Sequence, residues 1–248
     1  MINDSYTLFS KVYDALTDDV EYEKRCEFLE KIFSKHLLNK HELICDLGCG
    51  TGSVCTILSK KGYDMIGVDS SEEMLMCAQG KNKDGKILYL NQDMTDFELY
   101  GTVDVFLSML DSINYLTDDG DLQSCLFLCK NYLNPGGIFI FDVNTLYKYE
   151  NVLSDNTFVF EKDNIFYTWE NEKDSDFHIF NLNFFVKNSS GSYNRFTEQH
   201  FQRYYSDEEI REKIKNSGLI LEAVYPDLSF GKIKDNEQRL FYVVKKPL

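Results

Sequence analysis

The chain reads as an α/β protein built around one large sheet, with a second, antiparallel sheet inserted late. Three observations predict this. From Leu43 to Asp142, apolar runs of strand length alternate with stretches whose apolar residues recur at helical spacing. The first run, Leu43 to Leu47, meets a loop holding Gly48, Gly50 and Gly52, and then a helix marked by Val54, Ile57 and Leu58. After Asp142 the alternation stops, several strand-like segments follow one another, and the tail returns to a helix and two strands.

A length of 248 residues fits one large domain, or one with an embedded subdomain, and a hydrophobic fraction of 43% suffices for a sizeable core. A net charge of -15 and a pI near 4.7 argue against a nucleic-acid partner, which needs a cationic footprint. No apolar run reaches membrane-spanning length, and Met1-Ile2-Asn3-Asp4 does not begin a signal peptide. No membrane association is expected. The 7 cysteines lack framework-like spacing, which suggests reduced thiols in a cytoplasm. Cys125 and Cys129 lie one helical turn apart, and Cys45, Cys49 and Cys55 surround the glycine loop. All sit in apolar settings with no histidine nearby, so they read as small buried side chains and no metal is expected.

Taken in order, residues 1–40 read as helical, with Phe9, Val12, Tyr13 and Leu16 on one face and Tyr22, Cys26, Leu29, Ile32 and Phe33 at helical spacing behind them. They are expected to cover an edge of the sheet. The loop that follows is Asp46-Leu47-Gly48-Cys49-Gly50-Thr51-Gly52. Glycine lets backbone lie close to a ligand, because it has no Cβ. The dinucleotide fingerprint G-x-G-x-x-G is not matched, since its third glycine would fall at Ser53, or at Cys55 counting from Gly50. The acid at the strand end would repel a pyrophosphate but suits a ligand bearing an ammonium group.

The second strand, Met65–Val68, ends in Asp69-Ser70-Ser71. An acid there, roughly 20 residues past the loop, suits a bidentate hydrogen bond to a ribose diol, a feature that dehydrogenases share. The plain alternative is a helix cap, with Ser70 or Ser71 capping and Glu73 in the first turn. Strand three, Ile87–Leu90, leads into Asn91-Gln92-Asp93-Met94, and strand four, Val103–Ser108, into Met109-Leu110-Asp111-Ser112 and Tyr115. Asp104 reads as structural. A helix from Asp121 to Leu133 and a turn at Asn134-Pro135-Gly136-Gly137 open strand five, Ile138–Asp142. The inserted strands are Phe158–Glu161, Ile165–Glu170, Phe177–Val186 and Tyr193–Tyr205. In the third of them Phe177, Ile179 and Phe185 point one way, and Phe180, Leu182, Phe184 and Val186 the other, so cover is expected on both faces. On the last, Arg195, Gln199, Arg203 and Tyr205 share one face, and Glu198, His200, Gln202 and Tyr204 the other. Ser206-Asp207-Glu208-Glu209 starts a helix that Ser217-Gly218 stops, and strands at Leu219–Tyr225 and Leu240–Val244 end the chain.

The segment Asp46 to Gly52 resembles motif I of class I S-adenosylmethionine-dependent methyltransferases. The likeness covers nearly the whole chain and is weakest from Leu146 to Asn194. It implies a Rossmann-like seven-stranded sheet whose last strand is antiparallel, with an inserted antiparallel sheet as a roof. It further implies a helical cap at 1–40, a cofactor-binding core at 41–145 and 206–248, and a subdomain at 146–205 over the acceptor pocket. In this family Gly48, Cys49 and Gly50 form the cofactor loop beside Asp46, and Asp69 with Ser70 meets the ribose. Met74 packs on the adenine, Asp93 and the Met94 amide read its edge, and Tyr13 and Leu110 lie toward the methionine end. Tyr13-Asp14 with Asp19-Val20-Glu21-Tyr22 resembles the family's closing cap.

Leu110-Asp111-Ser112 and Tyr115 resemble the corresponding loop of glycine N-methyltransferase and amino-sugar N-methyltransferases. The implied reaction transfers a methyl group from S-adenosylmethionine to a small-molecule acceptor, an amine in the first instance, leaving S-adenosylhomocysteine. The implied assembly is a monomer or homodimer. The catalytic residues stay open. Tyr115, His200 and Arg203 are candidates for the acceptor pocket, with Arg203 either a clamp for an acceptor's carboxylate or phosphate or simply the partner of a carboxylate on the acidic surface. His36 and His41 lie ahead of motif I, away from the expected pocket, whereas His178 and His200 sit in the inserted sheet. Two other classes remain: a non-catalytic protein that binds the nucleoside, and a nucleotide-dependent oxidoreductase.

Overall fold

The computed structural model describes residues 10, 12–14, 16, 17, 20–37, 43–174 and 177–248. Phe9, Asp19 and His41 lie outside the described residues, as does much of the helical reading of 1–40. In chain order the strands are β1 (Leu43–Leu47), β2 (Asp64–Asp69), β3 (Leu88–Asn91), β4 (Val103–Ser108), β5 (Leu133–Asn144), β6 (Thr157–Lys162), β7 (Ile165–Asp174), β8 (Phe177–Lys187), β9 (Tyr193–Arg203), β10 (Ile220–Pro226) and β11 (Arg239–Lys245). The helices are α1 (Tyr22–His36), α2 (Ser53–Lys60), α3 (Glu72–Lys81), α4 (Asp121–Tyr132) and α5 (Asp207–Ser217). None is long and apolar enough to cross a membrane.

Seven strands form the main sheet in the order β10-β11-β5-β4-β1-β2-β3. Neighbours from β5 to β3 pair in parallel, whereas β11 runs antiparallel to both β5 and β10. Period-two alternation divides each central strand between two cores. Phe106, Phe139, Phe141, Tyr242 and Val244 face α4 and α5, meeting Cys125, Leu126, Ile210 and Ile214. Val105, Leu107, Ile138, Ile140, Phe241 and Val243 face the other way, against Phe28, Leu29, Ile32 and Phe33 of α1 and Val54 and Leu58 of α2. Each such side chain, fully buried, contributes about 1.5–3 kcal/mol. Helix α1 therefore covers a face of the sheet and not an edge, because only a face offers a broad apolar surface to its own buried stripe.

Asn134-Pro135-Gly136-Gly137, read as a turn ahead of strand five, is a bulge within β5. Leu133 pairs with Val103, and pairing resumes only at Ile138 with Val105. Asp104 steadies the bulge by accepting a bond from Asn134 Nδ2 at 2.8 Å, the structural role expected of it. At the other end of the chain, Ser206 Oγ caps α5 by accepting from the Glu209 amide at 3.1 Å. Gly218, at φ 78°, ends that helix.

Strands β6 to β9 make a separate antiparallel sheet in sequential order. One face carries Phe158 and Phe160, Tyr167 and Trp169, Phe180 and Phe184, and Phe196, His200 and Gln202, and it packs toward the core. The other face was expected to be covered as well. Instead Phe177, Ile179 and Phe185 remain part-exposed and Phe201 exposed, because the main sheet stands on only one side.

Tyr89 fills space that two glycines leave beneath the loop. A Cβ on Gly67 would stand 2.6 Å from its ring and 2.8 Å from Cys49 Sγ, and one on Gly52 would stand 2.3 Å from its hydroxyl. Gly67→Ala is expected to lower stability by about 1–3 kcal/mol through overpacking. A urea midpoint equal to that of the wild type would show that Tyr89 moves aside freely.

Candidate active site

The sheet order reverses between β1 and β4, and in open α/β sheets ligands bind outside the carboxyl ends of the strands at such a point. A cavity of about 670 Å³ lies there. Tyr13, Asp46, Gly48, Cys49, Gly50, Asp69, Ser70, Met74, Asp93, Met94 and Leu110 all line it, and so do Tyr115 and His200. The parallel strands bring most of these residues together because each donates the loop that follows its own carboxyl end, while Tyr13 comes from the N-terminal segment and His200 from β9.

The glycine loop is held by its own amides. Gly48 N and Cys49 N both donate to Val68 O, at 2.8 and 3.0 Å. Gly50 N donates to Asp69 Oδ2 at 2.7 Å, and Gly52 N to Cys49 O at 2.9 Å. Gly48 and Gly50 have φ of 68° and 54°, a region that favours glycine. A Cβ on Gly48 would come within 2.8 Å of Ser112 Oγ, whereas one on Gly50 would meet only open space. The loop thus offers a ligand close approach rather than a row of N–H donors.

Asp46 is 2% exposed beneath this loop, and burial pushes its carboxyl up to about 7, against a bond from Cys55 Sγ that pulls it down. No cation pairs with it among the described residues, which suits a ligand that brings an ammonium group. Asp69 accepts from Gly50 N and, at 2.9 Å, from Ser71 N. Burial raises its carboxyl, and those two amides oppose the rise. The cap of α3 belongs to Ser71, whose Oγ accepts from Met74 N at 3.2 Å, so Asp69 is not needed there. Asp93, exposed at the rim, holds Thr95 N at 2.7 Å and Thr95 Oγ1 at 2.6 Å with one oxygen. Met74 lies against Val12, Phe184 and Phe196, at the meeting of the N-terminal segment and the inserted sheet. Across the loop, Asp14 accepts from Thr51 Oγ1 and pairs with Lys81, both at 2.5 Å, which ties the Tyr13 segment over the cavity.

On the β5–β11 side the cavity is floored by a buried ionic network that sequence reasoning missed. Leu110 and Asp111 are both left-handed, at φ 59° and 56°, a cost of roughly 1–3 kcal/mol each for non-glycine residues. Asp142 holds them there, accepting from Leu110 N at 2.7 Å and Asp111 N at 3.0 Å. Arg239 bridges Asp142 and Asp111, and Gln202 of the inserted sheet donates to Asp111 Oδ2 at 2.6 Å. Burial alone would raise the Asp111 carboxyl, but Arg239, then Lys148 and Gln202, outweigh it and hold it below the usual carboxylate range. Gln202 Oε1 in turn accepts from Asn144 Nδ2 at 3.0 Å and Tyr149 OH at 2.8 Å.

Arg203 is not part of this pocket. It faces away from His200 and Gln202 and pairs with Asp119 at 2.9 Å and Glu209 at 3.1 Å. The alternation separated the two faces of β9 correctly, but the inward face is that of Gln202, and Arg203 cannot clamp an acceptor. His200 does face the cavity, edge-on to Tyr115 at 5.8 Å, and burial pushes its imidazole down to about 4. His178 instead stacks on Tyr149 at 3.8 Å, and His36 bonds the Tyr225 hydroxyl at 2.8 Å, away from the site. The cysteines of the loop and of α4 are buried, and no cluster of metal-ligating side chains occurs among the described residues.

A family model for a methyltransferase domain matches residues 44–137. YqeM of Bacillus subtilis (strain 168), which carries a provisional methyltransferase name, is 35% identical over 97% of both chains. A crystal structure of an S-adenosylmethionine-dependent methyltransferase from Clostridium acetobutylicum superposes with a TM-score of 0.88 at 32% identity, covering 98% of this chain and 99% of that one. A third similarity is shorter. The Streptomyces venezuelae dTDP-3-amino-3,4,6-trideoxy-alpha-D-glucopyranose N,N-dimethyltransferase is 32% identical over 39% of this chain and 40% of its own.

Proposed function

Because this chain belongs to the S-adenosylmethionine-dependent methyltransferases, we propose that it methylates a small-molecule acceptor, an amine foremost, in the cavity beneath residues 146–205. When bound, the donor supplies a methyl group made electrophilic by its sulfonium, and a lone pair on the acceptor displaces it in line. In this reading Asp69 takes the ribose diol and Asp93 with the Met94 amide takes the adenine edge. Asp46 balances the ammonium from beneath the loop, while Gly48, Cys49 and Gly50 give the close approach. Tyr13 and Met74 close over the donor, and Leu110 borders the reacting methyl. The protein's contribution is alignment and exclusion of water. An acceptor ammonium must lose its proton before it can attack. His200, with its imidazole near 4, is a weak proton acceptor at neutral pH, so the amine enters as its free base.

The observation that carries this reading is the state of the loop amides. Those of Gly48, Cys49, Gly50 and Gly52 are all engaged within the protein, so these four are not free to hold a pyrophosphate. Together with the family, this counts against the oxidoreductase reading. The amine preference rests on Leu110-Asp111-Ser112 and on the amino-sugar N,N-dimethyltransferase, whose name specifies transfer to nitrogen. S-Adenosylmethionine and S-adenosylhomocysteine are expected to bind in roughly the micromolar range, near -8 kcal/mol, and NAD not at all. Calorimetry showing NAD binding and no effect of either sulfur compound would overturn the donor assignment. Turnover against amines, hydroxyls and carboxylates tests the acceptor, and activity confined to oxygen acceptors would overturn the amine.

A further inference from the structure

The network on the β5–β11 side leaves one charged group short of partners. Asp142 has three donors, Asp111 has Arg239 and Gln202, and the guanidinium of Arg239 spans both acids. Lys148 lies on the turn after β5 and lines the same cavity. Its ammonium has three N–H donors. Among the described residues it makes one bond, to the neutral amide oxygen Asn144 Oδ1 at 2.8 Å, and no ion pair. Burial pushes this ammonium below the usual lysine range, with the attraction of Asp111 opposing it and the Arg239 charge adding to the fall. A second donor of the cavity stands idle. Trp169 lines the cavity from the roof, and its Nε1 is buried without an acceptor among the described residues. The indole packs in one cluster with Phe180 and with Tyr149 and Leu153, the turn that carries Lys148.

A buried indole N–H without an acceptor, and a part-buried ammonium whose three N–H groups meet one neutral oxygen, call for a ligand rich in acceptor oxygen. Resting on the methyltransferase reading, we propose that the methyl acceptor carries an anionic oxygen group, a carboxylate or a phosphate. Lys148 binds that group, the Trp169 indole N–H is its second donor, and the aromatic roof of Phe160, Tyr167 and Phe180 receives the apolar body. Lys148 is thus the residue that determines acceptor charge, a role unavailable to Arg203.

The test uses calorimetry on the full chain loaded with S-adenosylhomocysteine. Phenylacetate, phenyl phosphate and the neutral phenylacetamide are the probes. The wild type is expected to bind at least one anion about ten- to a hundredfold tighter than the amide, the range for hydrogen bonds to a charged group. Whichever anion binds tighter names the group. Lys148→Met is expected to erase this preference, with affinity for S-adenosylhomocysteine unchanged as the check on folding. Lys148→Arg is expected to keep the preference, and Trp169→Phe to weaken both anions without touching the amide. Equal binding of amide and anions by the wild type, failure of both anions to bind, or a preference that survives Lys148→Met would each overturn the proposal. The anions are also titrated without S-adenosylhomocysteine. A wild type that fails to bind S-adenosylhomocysteine would sink the donor assignment, while this second titration still reads the anion site.

Discussion

Replacing Arg239 with leucine is expected to destabilise the protein by about 3–5 kcal/mol, the range for removing one partner from a buried ion pair. The arginine is 8% exposed and neutralises two carboxylates, Asp142 at 0% and Asp111 on a strained loop. Without the guanidinium both acids are left buried and unpaired, and the energetic reason for Leu110 and Asp111 to stay left-handed weakens with them. Methyl transfer is expected to fall further than stability alone would explain, because Leu110 borders the reacting methyl in the proposed site. The pH dependence follows from the depressed Asp111 carboxyl. Its contribution is fully present above the unfolded carboxylate pKa, about 3.9, and is lost as pH falls through the lower folded value. The wild type should therefore lose this part of its stability in acid below roughly pH 4, whereas Arg239→Leu should lose less, since only Lys148 and Gln202 still favour the ionised Asp111. Denaturant midpoints measured across pH read both effects. A midpoint shift worth less than about 1 kcal/mol would put the network among pairs of surface strength and discredit this account.

Asp69→Ala is expected to weaken S-adenosylhomocysteine by about 1.5–3 kcal/mol, roughly 10- to 150-fold, as a ribose diol loses a charged acceptor. Asp69 also fastens the amides of Gly50 and Ser71, so removing it loosens the loop as well as the ribose contact. Asp69→Asn separates the two effects. Its amide oxygen can still accept from one loop amide, but it carries no charge for the diol, so an intermediate affinity is expected. The fold should persist, since the residue ends a strand and the cap of α3 rests on Ser71. Calorimetry on the two variants decides this, and wild-type affinity in Asp69→Ala would mean that the ribose lies elsewhere.

The main sheet and its glycine loop were readable from sequence because they are local. Strand, glycine turn, acid and helix follow within a few residues, and period two or period 3.6 needs no knowledge of the rest of the chain. Asp46, Asp69 and Asp93 each lie within two residues of the end of a parallel strand, so topology alone delivers them to one edge. The four inserted strands and the faces of β9 were equally local. What alternation could not say is which face turns inward, because that depends on where the main sheet stands. Arg203 and Gln202 differ by one position, and docking alone put the glutamine on Asp111 and the arginine on Asp119 and Glu209. Arg239 gave no periodic signal at all, lying at the head of the last strand beside a polar loop. It joins the site because β11 runs antiparallel and sets its first residue opposite Asn144, the last of β5. A partner 97 residues from Asp142 and 128 from Asp111 leaves no trace in local spacing. Local periodicity thus determined the sheet and the glycine loop, whereas the charge balance on the β5–β11 side of the cavity, Lys148 included, was decided only when tertiary packing brought distant strand ends together.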